Sequence, residues 1–303
     1  MTKSTKWFLG ILGVFALVFF GVALLFYLFL RLPIERTEVV SGGAGDKIAV
    51  VELEGVITAS EDFVRQVKKY RKDRSIKGIL LRINSPGGAT VPSQEMYEEV
   101  RKTREAGKPI VVSMGSIAAS GGYYVSCGSS RIVANRGTLT GSIGVVGEFL
   151  QVENALSKLG ISVKTIKTGR LKDTGSPTRN MTDEDRRYLQ SLLDDVHQQF
   201  VQVVETERKL PHERVAGFAD GRAFTGIQAL SMGLVDTLGT YEDALRITAD
   251  LAGIAGEPTV VRERRRESVW DFVFGDAAQS VSDVKQWLLE YPVLSYRFVG
   301  PLQ

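Results

Sequence analysis

Three apolar runs, spaced by amphipathic stretches, constrain this chain more than anything else in it. KIAVVELEGVI (47–57), IKGILLRIN (76–84) and PIVVSM (109–114) read as strands. EDFVRQVKKYRKD (61–73) and PSQEMYEEVRKTREA (92–106) lie between them and read as helices. A parallel return needs a long crossover, which a helix supplies, so this alternation predicts an α/β fold with a parallel sheet and flanking helices. Short strands are expected at 131–134 and 162–167. A long helix is expected from Asp183 to Lys209, with Thr182 as its cap and Asp185 completing an approximate capping box. Shorter helices fit 226–232 and 241–252, and no internal repeat or low-complexity tract is present.

The amino-terminal region is of another kind. Residues 7–30, WFLGILGVFALVFFGVALLFYLFL, contain no charge. A helix of that length spans roughly 36 Å, enough for a bilayer core. The run exceeds the apolar stretch of about 7–15 residues in a cleaved signal peptide, and Arg31-Leu32-Pro33 follows where a small-residue cleavage site would stand. The expected layout is a cytoplasmic stub (1–6), one transmembrane helix (7–30), a stalk (31–46), a catalytic domain (47–255) and a carboxy-terminal tail (256–303). Lys3 and Lys6 lean towards an amino end inside, which puts the catalytic domain outside the cytoplasm. In the tail, Arg262 and Arg264 to Arg266 precede Trp270, Phe272 and Phe274. That order suits a membrane surface or a regulatory segment. Tyr291 to Val299 is also extended enough after Pro292 to lie in a groove.

Composition narrows the chemistry. A formal charge of +3 gives no case for nucleic acid. One cysteine, Cys127, and two histidines, His197 and His212, leave no set for a structural zinc site. No metal or cofactor is expected. Two glycine-rich elbows follow predicted strands: Asn84-Ser85-Pro86-Gly87-Gly88-Ala89 and Ser116-Ile117-Ala118-Ala119-Ser120-Gly121-Gly122-Tyr123. Neither matches a P-loop or GxGxxG. A serine before Gly-Gly at a helix start exposes its hydroxyl beside free helix-end amides, the requirement of an oxyanion hole. Such a serine needs a base. His197 falls within the predicted long helix and His212 at a turn, which disfavours a Ser–His–Asp triad. A lysine can serve, and Lys164, Lys167 and Lys172 are the candidates that spacing leaves open.

INSPGG (83–88), SIAASGGYYV (116–125), LTGSIGVVG (139–147), TGRLKDTGSPTRNMTDED (168–185) and ADGRAFTGIQALSMGLVDTLG (219–239) occur in the order found in short-form signal peptide peptidases A. The chain resembles that family over most of residues 47–252. The resemblance implies a Clp-type, crotonase-like parallel sheet spiral and a membrane serine endopeptidase that degrades remnant signal peptides. It implies Ser120 as nucleophile, Lys172 as general base, Ser142 as the residue orienting the lysine amine, and the amides of Gly88 and Gly121 as oxyanion donors. It also implies a homo-oligomer, an octamer, and tails that the enzyme itself can process. A crotonase-type acyl-CoA enzyme and a non-enzymatic membrane scaffold on the same fold are the alternatives. Neither explains Ser120 and Lys172 together with an anchor.

Overall fold

In the computed structural model the described residues are Trp7, 13–24, 36–41, 45–264 and 295–297. The chain divides into two units, residues 1–38 with 263–288, and residues 39–262 with 289–303. In the first unit, residues 13–24 form a helix, α1, with exposed side chains. Apart from these and Trp7, the predicted 7–30 span lies outside the described residues. Among the described residues no helix is long and apolar enough to cross a membrane.

The elements that follow are β1 (Arg36–Ser41), β2 (Lys47–Glu54), α2 (Glu61–Lys72), β3 (Ile76–Ser85), β4 (Gly87–Ala89), α3 (Thr90–Glu105), β5 (Ile110–Ala119), α4 (Gly121–Cys127), β6 (Arg131–Ala134) and β7 (Leu139–Gly141). Then come α5 (Glu153–Lys158), α6 (Asp183–Arg208), α7 (His212–Ala216), β8 (Ala223–Thr225), α8 (Gly226–Met232), β9 (Thr237–Leu238), α9 (Tyr241–Leu251), β10 (Thr259–Arg264) and β11 (Ser295–Arg297).

The second unit is an α/β domain on a mainly parallel mixed sheet. Its strands run in the order β10-β2-β3-β5-β6-β9, each pair parallel. Both faces of this sheet are covered, which is why its strands are continuous apolar runs. Ala49, Val51, Ile79, Leu81, Val112 and their neighbours pack with Phe63, Val67 and Tyr70 of α2 and Met96 and Val100 of α3. The alternate residues Ile48, Val50, Leu80, Val111 and Val133 face Ala244 and Ala249 of α9. α9 comes so close to β3 that a methyl on Gly78 would stand 2.9 Å from Thr248 Cγ2. The buried face of α2 recurs at helical spacing, Phe63, Val67 and Tyr70, each burial being worth roughly 1.5–3 kcal/mol.

Strand β5 changes partners along its length. Val111 to Ser113 pair with β6, and Ile117 to Ala119 pair with β7. β7 is in turn antiparallel to β8. The sheet therefore branches along β5, which carries the chain into the corner before Ser120.

The predicted helix at 183–209 forms, and Thr182 and Asp185 make a full capping box. The strand predicted at 162–167 does not form: that segment is irregular and exposed, with Ile166 fully so. Its β-branched residues favour extended backbone, but no ladder partner among the described residues takes it up. The sheet also reaches beyond residue 255, because Thr259 to Arg262 of β10 pair with Lys47 to Val50.

Candidate active site

β5 ends at Ala119 and α4 begins at Gly121, leaving Ser120 on the corner with φ 52° and ψ −116°. A non-glycine residue in such a conformation stores about 1–3 kcal/mol of strain. Two backbone bonds hold it: Ser120 N donates to Gly141 O at 2.7 Å, and Tyr124 N donates to Ser120 O at 2.8 Å. The residue is 1% exposed, and its Oγ has no hydrogen-bond partner among the described residues. Leaving a buried hydroxyl unpaired costs roughly 1–3 kcal/mol.

The other elbow lies against it. Gly87 takes φ +93°, and its amide donates to Ser85 Oγ at 3.1 Å. A methyl on Gly121 would stand 3.2 Å from the Gly88 amide nitrogen, so the two glycine loops touch. Ser142 follows the Gly141 that accepts from Ser120. It is buried, has φ 52°, and its amide donates to Arg222 O at 2.9 Å. Ser120, Gly88, Gly121 and Ser142, spread over 55 positions of sequence, thus converge on one corner of the sheet.

That corner holds a strand. β11, from the tail, pairs antiparallel with β4, with Ser295 opposite Ala89, Tyr296 opposite Gly88 and Arg297 opposite Gly87. On its other side Ser295 exchanges both backbone bonds with Val146, at 3.0 and 3.1 Å. Backbone groups alternate in direction along a strand, so those of Tyr296 face β4. A methyl on Gly87 would meet the Tyr296 carbonyl oxygen at 2.1 Å and the Gly121 amide nitrogen at 2.6 Å. The carbonyl of Tyr296 is therefore lodged among the glycine loops, near Gly87 and the Gly121 amide. Its ring is fully buried, stacked on Tyr124 at 5.2 Å and tilted against Phe200 at 4.8 Å, and its hydroxyl donates to Val196 O at 3.2 Å. Burial pushes the Tyr296 hydroxyl up to about 12, and burial first, then Tyr296, raises that of Tyr124 as well, so both rings stay neutral.

The lysine candidates lie elsewhere. Lys164, Lys167 and Lys172 all fall in the exposed 161–172 region, with Lys172 in a turn closed by its amide bond to Gly169 O at 3.4 Å. Lys167 donates to Arg170 O at 2.8 Å and is ion-paired with Asp173. Lys172 makes no bond to Ser120 Oγ within the chain. The flanking loop is ordered by Arg179, bonded to both Asp173 and Asp185. Arg179 and Lys167 hold the Asp173 carboxyl down to about 2, and Arg179 and Thr174 hold that of Asp185 lower still. His197 sits in α6 with an unpaired Nε2, and His212 opens α7 with Nδ1 2.6 Å from Glu205 Oε1. No hydrogen bond joins either to Ser120.

Sequence reasoning missed the aromatic pocket of Tyr124, Phe200 and Tyr296, whose members are far apart in the chain. It also missed the role of Arg179, although Arg179 lies in one of the matched motifs.

A strained serine at the end of a parallel strand, two glycine loops in contact, and a peptide strand laid across them define the layout of a serine hydrolase that acts on extended chains. Comparison with known proteins agrees. The profile of peptidase family S49 matches residues 102–255. A Synechocystis protein named as a protease is 46% identical over 209 residues, which cover 69% of this chain and 75% of that one. An Enterococcus faecium protein named as a signal peptide peptidase is 37% identical over 238 residues, 74% of this chain and 69% of that one. The chloroplastic serine protease SPPA of Arabidopsis thaliana is 30% identical over 226 residues, 70% of this chain and 33% of that one. The chain belongs to peptidase family S49 and is a serine peptidase of that Ser–Lys family.

Proposed function

We propose that this protein is a membrane-anchored endopeptidase that degrades remnant signal peptides, with Ser120 as nucleophile and Lys172 as general base. The observation that carries the reading is the seating of β11: an extended segment lies on β4 with the Tyr296 carbonyl beside the Gly121 amide. A substrate in the same place would add a strand to the edge of β4, its backbone bonds giving affinity and its side chains selectivity. The neighbouring pocket is aromatic, which suits the apolar residues of a signal peptide.

In this reading Ser120 Oγ attacks the scissile carbonyl while Lys172 Nζ takes its proton. The amides of Gly88 and Gly121 stabilise the oxyanion, and Ser142 orients the lysine amine. The lysine then protonates the departing amine. Water attacks the acyl-serine ester and gives a proton to the lysine; the tetrahedral intermediate then collapses, releasing the second fragment as its carboxylic acid, and the lysine returns the proton to Ser120 Oγ. The unpartnered Oγ and the solvent-facing Lys172 fit a homo-oligomer, an octamer by family resemblance, in which the lysine turn of one copy meets the elbow of another. Exposed Leu159, Ile161, Val163 and Ile166 beside that turn would then gain cover. The same reading gives the domain the Clp-type spiral, makes residues 7–30 a single-pass anchor, and puts the catalytic domain outside the cytoplasm, where released signal peptides remain in the bilayer.

A fluorophosphonate probe tests the nucleophile directly. It should label the wild type at Ser120 and leave Ser120→Ala unlabelled. Labelling that persists in Ser120→Ala would overturn the assignment.

A further inference from the structure

One guanidinium staples the turn that carries Lys172. Arg179 donates through Nε and Nη2 to the two carboxylate oxygens of Asp173, each at 2.9 Å, and through Nη2 to the Asp173 carbonyl at 3.1 Å. Through Nη1 and Nη2 it also reaches both oxygens of Asp185, at 2.6 and 3.0 Å. Asp185 is 2% exposed and is itself fixed, as the capping-box partner of Thr182 and an acceptor from Thr174 Oγ1 at 2.7 Å. The turn is therefore tied to the first turn of the longest described helix.

The charges form a pattern. Between residues 167 and 179 the cations are Lys167, Arg170, Lys172 and Arg179. Lys167 pairs with Asp173, Arg170 with Glu184, and Arg179 with Asp173 and Asp185. Lys172 is the one of the four with no carboxylate partner among the described residues. A carboxylate beside an amine favours its protonated form, which cannot act as a base. Asp173, next in sequence, is the carboxylate best placed to do this, and it is occupied.

We propose that Arg179 is a positioning residue for the Lys172 amine: it fixes the 169–175 turn and withholds Asp173 and Asp185 from the lysine. The inference rests on the reading of Lys172 as the base. The fork geometry matters, since only a planar guanidinium can bridge two carboxylates in this way.

The test is the pH dependence of peptide hydrolysis by the full-length protein in Arg179→Ala, Arg179→Lys, Arg179→Ala with Asp173→Asn, and Lys172→Ala. Arg179→Ala should lower kcat roughly tenfold or more near neutral pH with little change in KM, and move the alkaline-rising limb of the profile up by about one pH unit. Adding Asp173→Asn should bring the limb back towards its wild-type position. Arg179→Lys, which keeps the charge and loses the fork, should show an intermediate loss, and it carries the test if the alanine variant does not fold. A limb that stays in place in both single Arg179 variants, or a shift that Asp173→Asn does not reverse, would overturn the inference while Lys172→Ala remains inactive. Retained turnover in Lys172→Ala would instead overturn the base assignment, and the inference with it.

Discussion

Ser120 carries the heaviest conformational burden of any residue at the site. Its backbone is strained, its carbonyl and amide are both committed, and its hydroxyl has no hydrogen-bond partner among the described residues. Ser120→Ala should therefore abolish turnover, by about 10⁴-fold or more, while leaving the fold intact. Peptide hydrolysis followed beside a thermal melt checks this, and a melt displaced by more than a few degrees would contradict it. Gly87 gives a second residue-scale prediction. Alanine there would carry φ +93° and set a methyl 2.1 Å from the Tyr296 carbonyl and 2.6 Å from the Gly121 amide. Gly87→Ala should cost more than about 100-fold in kcat/KM, since displacement of the scissile carbonyl by even 1 Å is that expensive. Measured kcat/KM within threefold of wild type would show that the two loops are not the groove. These positions were legible in the sequence because glycine and serine motifs at strand ends are local signals. That residues 291–299 are extended enough to lie in a groove was legible as well, and Ser295 to Arg297 do pair with β4; the packing of Tyr296 on Tyr124 was not, since nothing local says which aromatic it will meet.

At the scale of elements, β11 makes the most specific claim. If Gly121 is an oxyanion donor, as proposed, the Tyr296 carbonyl near its amide makes Tyr296 the residue before a scissile bond. Intact masses of wild type and Ser120→Ala from parallel preparations should differ, the wild type ending at Tyr296 and the variant keeping Arg297 onwards. Identical full-length masses would make β11 a stable plug rather than a substrate. The loop from Lys167 to Asp185 behaves as a unit through its carboxylates. Asp173 and Asp185 are held below the ordinary range of about 4, so the folded loop favours their charged forms. Its stabilisation is complete above that range and is lost as pH falls from about 4 towards and below 2. Limited proteolysis of the 161–181 region should be unchanged between pH 8 and 5 and should quicken only below about pH 4. The sequence exposed most of the elements. The capping box at Thr182 was visible because its chemistry is local. The strand expected at 162–167 was not decided by propensity, because a strand also needs a neighbour.

The whole molecule joins a family S49 peptidase domain to a long uncharged amino-terminal run. If residues 7–30 anchor the chain with its catalytic domain outside, protease added to spheroplasts should cut within 31–46 and release that domain; full protection would reverse the topology. The family and its order of motifs were readable in sequence, because glycine elbows fix backbone geometry wherever they occur. Whether Lys172 reaches Ser120 was not, since that is a matter of space, and within one chain the two side chains are not bonded. The central claim is that Lys172, and neither histidine, activates Ser120. It is tested by kcat for peptide hydrolysis by the full-length protein in Lys172→Ala and His197→Ala, both checked for folding. Lys172→Ala should lose about 10³-fold or more and His197→Ala should turn over near the wild-type rate; near-normal turnover in Lys172→Ala with an inactive His197→Ala would rule out the lysine as the base.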